Sequence, residues 1–219
     1  MPILPLEAWK DVVGNIATIT TIVQFLVGTQ VCAGFYRNKT TGDTSGLTFL
    51  VGVVMTFAWY SYGRLIGDPS IQLVNAIGLV LQTMYSLCFY VFTPLKFETG
   101  RKMVLTVVFV ALVQLYINYE EDLPTAQLRL GLLCSSMAVA YCSAPLASVQ
   151  HVFNTGSTQA MPFYLILATV AVTGQWTVYG VIIQDSFVLV RNMLGCVVAS
   201  FQLALFAYFP SRELTKYVV

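Results

Sequence analysis

The 219-residue sequence has few charged residues, and this scarcity excludes a water-soluble protein. Charged residues make up 10% of the chain, whereas hydrophobic residues make up 57%. A soluble domain carries about 25% charged residues, which cover its water-facing surface. Seven apolar runs approach the roughly 20 residues that a helix needs to cross a bilayer, and they span residues 13–34, 47–66, 71–92, 102–119, 127–150, 162–183 and 187–209. We therefore predict an all-α integral membrane protein with seven transmembrane helices.

The sequence also lacks residues that most enzymes, metalloproteins and nucleic-acid-binding proteins need. It has one histidine, His151, and no aspartate or glutamate inside a predicted span, so no metal cluster is expected. The "CSS" stretch at 134–136 has no base nearby in sequence, which argues against an enzyme. The net charge is +1 without a basic patch, which argues against nucleic acid as a partner. We expect no cofactor and no metal, and we interpret the five cysteines, all within spans, as packing residues.

Basic residues are unequally divided between the two ends of the predicted spans. With seven spans the termini lie on opposite faces of the membrane, and one face collects seven basic residues against four on the other. The larger set is Arg37, Lys39, Lys96, Arg101, Lys102, Arg212 and Lys216. Because basic loops stay in the cytosol, the N-terminus is predicted outside and the C-terminus in the cytosol. The plasma membrane is the expected location, with the Golgi or an endosomal membrane as alternatives.

One stretch of twenty residues occurs twice in the chain. "WYSYGRLIGDPSIQLVNAIG" at 59–78 returns as "WTVYGVIIQDSFVLVRNMLG" at 176–195, with seven identities at a constant offset of 117 residues. Internal duplication indicates two copies of one structural unit. Spans one to three and five to seven are therefore predicted to form two parallel three-helix repeats joined by one linker helix, a 3+1+3 plan. The predicted divisions are 1–100 for the first repeat, 101–122 for the linker, 123–210 for the second repeat and 211–219 for a short cytosolic tail.

The duplicated frame repeats a tryptophan and an asparagine. The four residues are Trp59, Asn75, Trp176 and Asn192. A helical hairpin that turns near residues 67–70 brings the first pair to about the same depth, and the repeat predicts that both pairs face each other. An indole packs against the C–H face of a pyranose, and a carboxamide donates to and accepts from hydroxyls. The alternatives are an interfacial aromatic belt for the tryptophans and interhelical hydrogen bonding for the asparagines.

Other repeated residues are interpreted as structural. The Tyr-Gly pairs at 62–63 and 179–180 are predicted to close the outer ends of their helices. Asp68 and Asp185 are predicted to cap the helices that follow, because a carboxylate at a helix start accepts from an open backbone N–H.

Seven stretches of the chain carry a family resemblance. They are "YRNKTTGDTSGLTF", "WYSYG", "NAIGLVLQTMY", "YCSAPL", "GSTQAMPF", "WTVYG" and "RNMLGCVVASFQL". Together they resemble the SWEET sugar transporters, the animal branch in particular, over about residues 14–210. The resemblance implies a bidirectional sugar uniporter that binds a mono- or disaccharide at the repeated tryptophan and asparagine positions. It also implies self-association into a homo-oligomer.

Prolines indicate where the helices bend. Pro145 lies within span five and Pro162 opens span six, and proline removes a backbone hydrogen bond and kinks a helix. The resemblance implies four such prolines, one in each of the first two spans of both repeats. Gly28 and Thr48 stand where the other two would be, so these four positions are the predicted hinges. The alternative for Pro162 is that it merely starts a helix.

The missing intramembrane acids also bear on mechanism. A carrier coupled to protons or sodium usually needs an ionisable group within the membrane, so we predict uncoupled, facilitated diffusion by alternating access. One alternative is a PQ-loop carrier of amino acids or another metabolite, although the chain has Pro145-Leu146 and Thr29-Gln30 where a Pro-Gln pair is expected. A seven-helix receptor is a more distant alternative. The preferred sugar is left open.

Overall fold

The computed structural model describes residues 6–141, 143–209 and 211, and all regular elements in this part of the chain are helical. A short 3-10 helix, Leu6–Trp9, precedes the α-helices. These are α1 (Lys10–Phe25), α2 (Val27–Asn38), α3 (Leu47–Ile66), α4 (Pro69–Phe92), α5 (Lys96–Tyr119), α6 (Leu123–Tyr141), α7 (Ser143–Thr155), α8 (Phe163–Ile182) and α9 (Ser186–Tyr208). The predicted tail lies outside the described residues apart from Ser211.

Seven segments of the described chain are long and apolar enough to cross a membrane. Five of them are the single helices α3, α4, α5, α8 and α9. The first span, Lys10–Asn38, comprises α1 and α2, and the fifth, Leu123–Thr155, comprises α6 and α7. The prediction of an all-helical protein with seven spans is confirmed. Several spans are longer than predicted. α5 already begins at Lys96, whose ammonium donates to the carbonyl oxygens of Tyr90 and Val91 at the end of α4.

Aspartates begin the third helix of each repeat. Asp68 Oδ1 accepts a hydrogen bond from Ile71 N at 3.0 Å, and Asp185 Oδ1 accepts one from Val188 N at 2.8 Å. Each bond satisfies a backbone donor that a helix start leaves open. Both predicted caps are confirmed.

Glycines allow the two helices of each hairpin to approach closely. A Cβ atom on Gly63 would lie 2.8 Å from Ile71 Cγ2, and one on Gly180 would lie 2.8 Å from Leu189 N. The carbonyl oxygens of these two glycines also accept from the backbone N–H groups of the capping aspartates, at 3.0 and 3.1 Å. The prediction that they close helix ends is confirmed, and the close helix contact is a second reason for glycine at these positions.

The described residues form two compact units. One extends from Thr18 to Cys134, and the other combines the residues up to Ala17 with those from Ser135 onward. In the first unit α4 packs against α2, α3 and α5, and in the second unit α9 packs against α7 and α8. The third helix of each repeat is therefore the common partner of the other two. The sequence-based division at residues 100 and 122 stays a prediction.

Each unit has an apolar core at the same position of the repeat. The first core consists of Phe35, Phe49, Tyr85 and Phe89. The second consists of Val149, Val152, Met161, Ile166, Ala199 and Leu205. At the offset of 117 residues, Phe35 corresponds to Val152 and Phe49 to Ile166. The two repeats thus bury equivalent positions with different side chains.

Candidate functional site

The repeated tryptophans lie well inside the second helix of each repeat. Trp59 is seven residues before the end of α3, and Trp176 is six residues before the end of α8. At 1.5 Å per residue, each indole is about 10 Å from its helix end. Only 2% of Trp59 and 7% of Trp176 is exposed. Because a belt tryptophan keeps its ring among the lipid headgroups, this burial disfavours the belt alternative.

Each indole packs against a tyrosine one turn later in the same helix. The ring centroids of Trp59 and Tyr62 are 5.6 Å apart at an interplanar angle of 80°. Those of Trp176 and Tyr179 are 5.3 Å apart at 87°. Such edge-to-face contacts stabilise by about 0.5–1.5 kcal/mol beyond area burial. The same contact in both repeats therefore holds each indole plane nearly perpendicular to the ring of its tyrosine.

The repeated asparagines are oriented by their own helices. Asn75 Nδ2 donates to Ile71 O at 2.8 Å, and Asn192 Nδ2 donates to Val188 O at 2.7 Å. These bonds go to the preceding turn of the same helix, which disfavours the interhelical alternative. Among the described residues, neither Oδ1 atom accepts a hydrogen bond. Each carboxamide therefore keeps an acceptor and one donor hydrogen available for a ligand.

In the first unit, two close contacts bracket the tryptophan and the asparagine. On one side Gly63 of α3 meets Ile71 of α4, as described above. On the other side a Cβ atom on Gly78 of α4 would lie 2.9 Å from Thr56 Cγ2 of α3. Trp59 and Asn75 fall between these contacts, three or four residues from each. Residues at that spacing share a helix face, so both side chains lie at one depth along facing sides of the hairpin.

The second unit repeats this arrangement. Gly180 of α8 meets Leu189 of α9, and a Cβ atom on Gly195 would lie 3.2 Å from Thr173 Cγ2. Trp176 and Asn192 again fall between the two contacts. The structure therefore brings each tryptophan to the depth of its asparagine, as the hairpin predicted. The convergence of both pairs on one ligand stays a prediction.

The four predicted hinge positions lie at or near helix starts. Gly28 is the second residue of α2, and a Cβ atom there would lie 2.8 Å from Tyr85 Cζ. Pro145 is the third residue of α7. Thr48 is the second residue of α3, and Pro162 is the N-cap of α8, which is the placement expected if Pro162 starts a helix. The part that these residues play in gating stays a prediction.

Sequence analysis missed two buried polar residues, Tyr85 of α4 and Gln202 of α9. Each donates a side-chain hydrogen bond to a backbone carbonyl in the first span of its own repeat. Both sit in stretches with a family resemblance, and both occupy the same position of the repeat. Applying the 117-residue offset to every polar residue within a span would have found them.

The fold and the paired sites define a class: an integral, multi-pass helical protein with a duplicated three-helix repeat, an architecture found among secondary transporters. A family model described as "Sugar efflux transporter for intercellular exchange" matches residues 11–96 and 128–214. The first match lies within the first predicted repeat, and the second covers most of the second repeat and extends into the predicted tail. The chain belongs to this family, the SWEET sugar transporters. It is a family of transporters, so the prediction that the protein is not an enzyme is confirmed.

Individual relatives agree with this assignment. Sugar transporter SWEET1 of Drosophila pseudoobscura pseudoobscura is 36% identical over 205 residues, which cover 93% of this chain and 91% of the relative. Sugar transporter SWEET1 of Rattus norvegicus is 31% identical over 201 residues, which cover 90% of each protein. A solved structure of a eukaryotic SWEET transporter matches with a TM-score of 0.86 at 26% identity, over 93% of this chain and 97% of that one.

Proposed function

We propose that this protein is a facilitative, bidirectional sugar carrier that moves mono- or disaccharides across a membrane by alternating access. The observation that carries the proposal is the duplicated tryptophan–asparagine pair. Each pair lies at one depth in its hairpin, with the same ring contact and the same helix hydrogen bond. The names of the SWEET1 relatives support sugar as the substrate class.

The chemistry of the pairs fits an uncharged polyol. A sugar ring offers an apolar C–H face, which an indole covers, and hydroxyl groups, which a carboxamide both donates to and accepts from. Because Nδ2 is already bound to the helix, the free Oδ1 atom of each asparagine has a fixed direction. A preoriented acceptor loses little conformational entropy on binding.

The burial of the indoles indicates that sugar access requires movement. With 2% and 7% of their surfaces exposed, Trp59 and Trp176 are covered in this conformation. Their helices must separate from neighbouring groups before a ring can stack on them. Alternating access provides such a movement, and the hinge positions Gly28, Thr48, Pro145 and Pro162 are proposed to allow it.

The distribution of acidic residues supports transport without ion coupling. In the described spans, acids occur only in first helical turns, at Asp11 of α1 and Glu98 of α5. Glu98 is paired with Lys102 at 2.6 Å. The nearest buried carboxylate, Asp68, is engaged as a helix cap seven residues before Asn75. The described spans therefore offer no acidic side chain at the depth of the tryptophan–asparagine pairs that could bind a transported proton or sodium ion.

The proposal extends to the setting of the protein. The N-terminus is proposed to lie outside and the C-terminus in the cytosol, in the plasma membrane rather than the Golgi or an endosome. Basic residues on the loops support this orientation. Self-association into a homo-oligomer is proposed on the family resemblance.

The test is flux of labelled sugars into vesicles that contain the purified protein, with and without a proton gradient. We expect sugar to equilibrate in both directions, at a final level that the gradient does not change. Accumulation driven by the gradient would contradict uniport. Uptake of cationic amino acids in place of sugars would favour a PQ-loop type of carrier.

Asparagine variants test the site in the same assay. Asn75→Ala and Asn192→Ala are each expected to lower sugar flux about tenfold, the upper range for loss of one hydrogen bond to an uncharged ligand. The matched control is Asn118→Ala on the linker helix α5, where flux should stay at the wild-type level. Wild-type flux in both site variants would remove these residues from the binding site.

A further inference from the structure

The first span is broken between α1 and α2, at a place without proline. α1 ends at Phe25. The backbone N–H and the hydroxyl of Thr29 both donate hydrogen bonds to Leu26 O, at 3.0 and 2.5 Å. In an uninterrupted helix the N–H of Thr29 would donate to Phe25 O instead. The Phe25 carbonyl thus loses its helical partner, and within a membrane such a group must find another donor.

Tyr85 of α4 supplies that donor. Its hydroxyl donates to Phe25 O at 3.1 Å, and the side chain is 4% exposed. Its ring passes directly over Gly28, where a Cβ atom would lie 2.7 Å from Tyr85 Cδ2. The glycine and the tyrosine are therefore complementary, because any larger residue at position 28 pushes the ring from its place.

Gln202 of α9 makes a corresponding bond in the second unit. Its Nε2 atom donates to Pro145 O at 3.3 Å, and the side chain is 7% exposed. Gln202 stands at the position of Tyr85 in the repeat, and Pro145 at the position of Gly28. Because Pro145 corresponds to residue 28, the two acceptor carbonyls, of Phe25 and Pro145, lie three residues apart within the repeat. This separation is close to one helical turn. Both repeats therefore join the third helix to a carbonyl at, or within three residues of, a predicted hinge position of the first span.

We propose that Tyr85 and Gln202 are positioning residues of the two hinges. Each holds the segment around the hinge position against the third helix by one side-chain hydrogen bond, and the bond must lengthen or change partner when the first span of that repeat bends. This inference rests on the proposed alternating-access function. The hinge of the first repeat is assigned to Gly28 together with Tyr85, and that of the second repeat to Pro145 together with Gln202.

The test uses the full-length protein with Tyr85→Phe, which removes only the hydroxyl, and Gln202→Leu, which replaces the carboxamide with methyl groups. Backbone hydrogen exchange is expected to rise about fivefold at residues 25–29 in Tyr85→Phe and at residues 146–149 in Gln202→Leu, the effect of losing one such bond. Turnover of sugar should change by a similar factor. The matched controls are Tyr208→Phe and Gln150→Leu, at exposed positions of α9 and α7, which should leave exchange and turnover unchanged.

The site of the exchange increase separates a hinge role from general support of the fold. A hinge role predicts an increase confined to residues 25–29 or 146–149, whereas general loosening would raise exchange along the whole of α4 or α9 and would overturn the proposal. Gly28→Ala is an independent probe that displaces the Tyr85 ring. It should raise exchange at 25–29 as Tyr85→Phe does, and the two changes together should add little.

Two further outcomes have distinct meanings. Wild-type exchange at both segments together with wild-type turnover in Tyr85→Phe and Gln202→Leu would overturn the hinge assignment. Failure of the wild-type protein to carry any sugar would instead overturn the proposed function. In that case the exchange comparison still decides whether the two side chains hold residues 25–29 and 146–149.

Discussion

The two repeats share a backbone frame but fill it with different side chains. The first core is aromatic, with Phe35 and Phe89 at a centroid distance of 5.9 Å, whereas the second is built mainly from aliphatic residues such as Val152 and Ile166. What stays the same is a small set of special positions: the capping aspartates, the glycines of the hairpins, and the tryptophan–asparagine pairs. This fold therefore depends on side-chain volume at most buried positions and on residue identity at few.

Left-handed backbone positions show the same principle at the surface. Gly67 has φ 70° and its equivalent in the second repeat, Gln184, has φ 54°. Gly156 has φ 65° and its equivalent in the first repeat, Lys39, has φ 57°. Each turn is kept in both copies, but only one copy has the glycine that adopts it without strain. The backbone path is therefore more strongly maintained than the residue that suits it.

The largest expected effect concerns the glycines of the hairpins. Gly180→Ala should destabilise by about 1–3 kcal/mol, as overpacking does, because its Cβ atom would meet the backbone N and Cα of Leu189 at 2.8 and 2.9 Å. Gly63→Ala should cost less, because its nearest contact is the Ile71 side chain. Unfolding of the purified variants in detergent measures the difference, and Gly34→Ala, with open space around it, is the control. Equal losses at the two positions would contradict this account.

Removal of the caps should have a somewhat smaller effect, similar in both repeats. Asp68→Ala and Asp185→Ala should each cost about 1 kcal/mol, because a backbone N–H at the helix start loses its acceptor. The same unfolding measurement applies. Asp→Asn at either position keeps an accepting oxygen and should retain most of the stability, whereas a loss equal to that of alanine would show that charge, not capping, is what matters.

The smallest effects are expected at the left-handed pair Gly67 and Gln184, with opposite signs. Gln184→Gly should stabilise by up to about 1 kcal/mol because it relieves a left-handed side-chain clash. Gly67→Ala should destabilise by a similar amount, because it introduces the same left-handed side-chain clash. No other group lies within 4 Å of the added Cβ atom, so packing should not contribute. Thermal unfolding of both variants tests the pair. The same sign of change in both would refute a backbone explanation.

Much of the fold could be predicted because its signals are local or repeated. Hydropathy alone locates the seven spans, and the duplicated frame identifies the caps and the hairpin register. The tryptophan–asparagine pairs were found in the same way, since two polar or aromatic identities at one offset are hard to explain by packing alone. The bounds were less accurate, because charged residues in first turns, such as Glu98, extend a helix beyond its apolar run.

The interruption of the first span could not be predicted in this way. The chain has no proline at or beside Leu26. The residue whose hydroxyl donates to Leu26 O is Thr29, and in the sequence it resembles any other small residue in a span. The partner of the interrupted segment is sixty residues away, at Tyr85. Only three-dimensional packing identifies a contact over that separation. In the fifth span, by contrast, Pro145 itself marks the predicted bend, because proline removes a backbone hydrogen bond.

The most direct test of the central claim is sugar binding observed through the two repeated indoles. The chain has three tryptophans, so Trp9→Phe leaves only Trp59 and Trp176 as emitters. Addition of sugar should then change the emission saturably, and Asn75→Ala or Asn192→Ala should weaken the apparent affinity about tenfold. Emission that does not respond to any sugar carried by the protein, or a wild-type apparent affinity in both asparagine variants, would contradict binding at the paired tryptophans and asparagines.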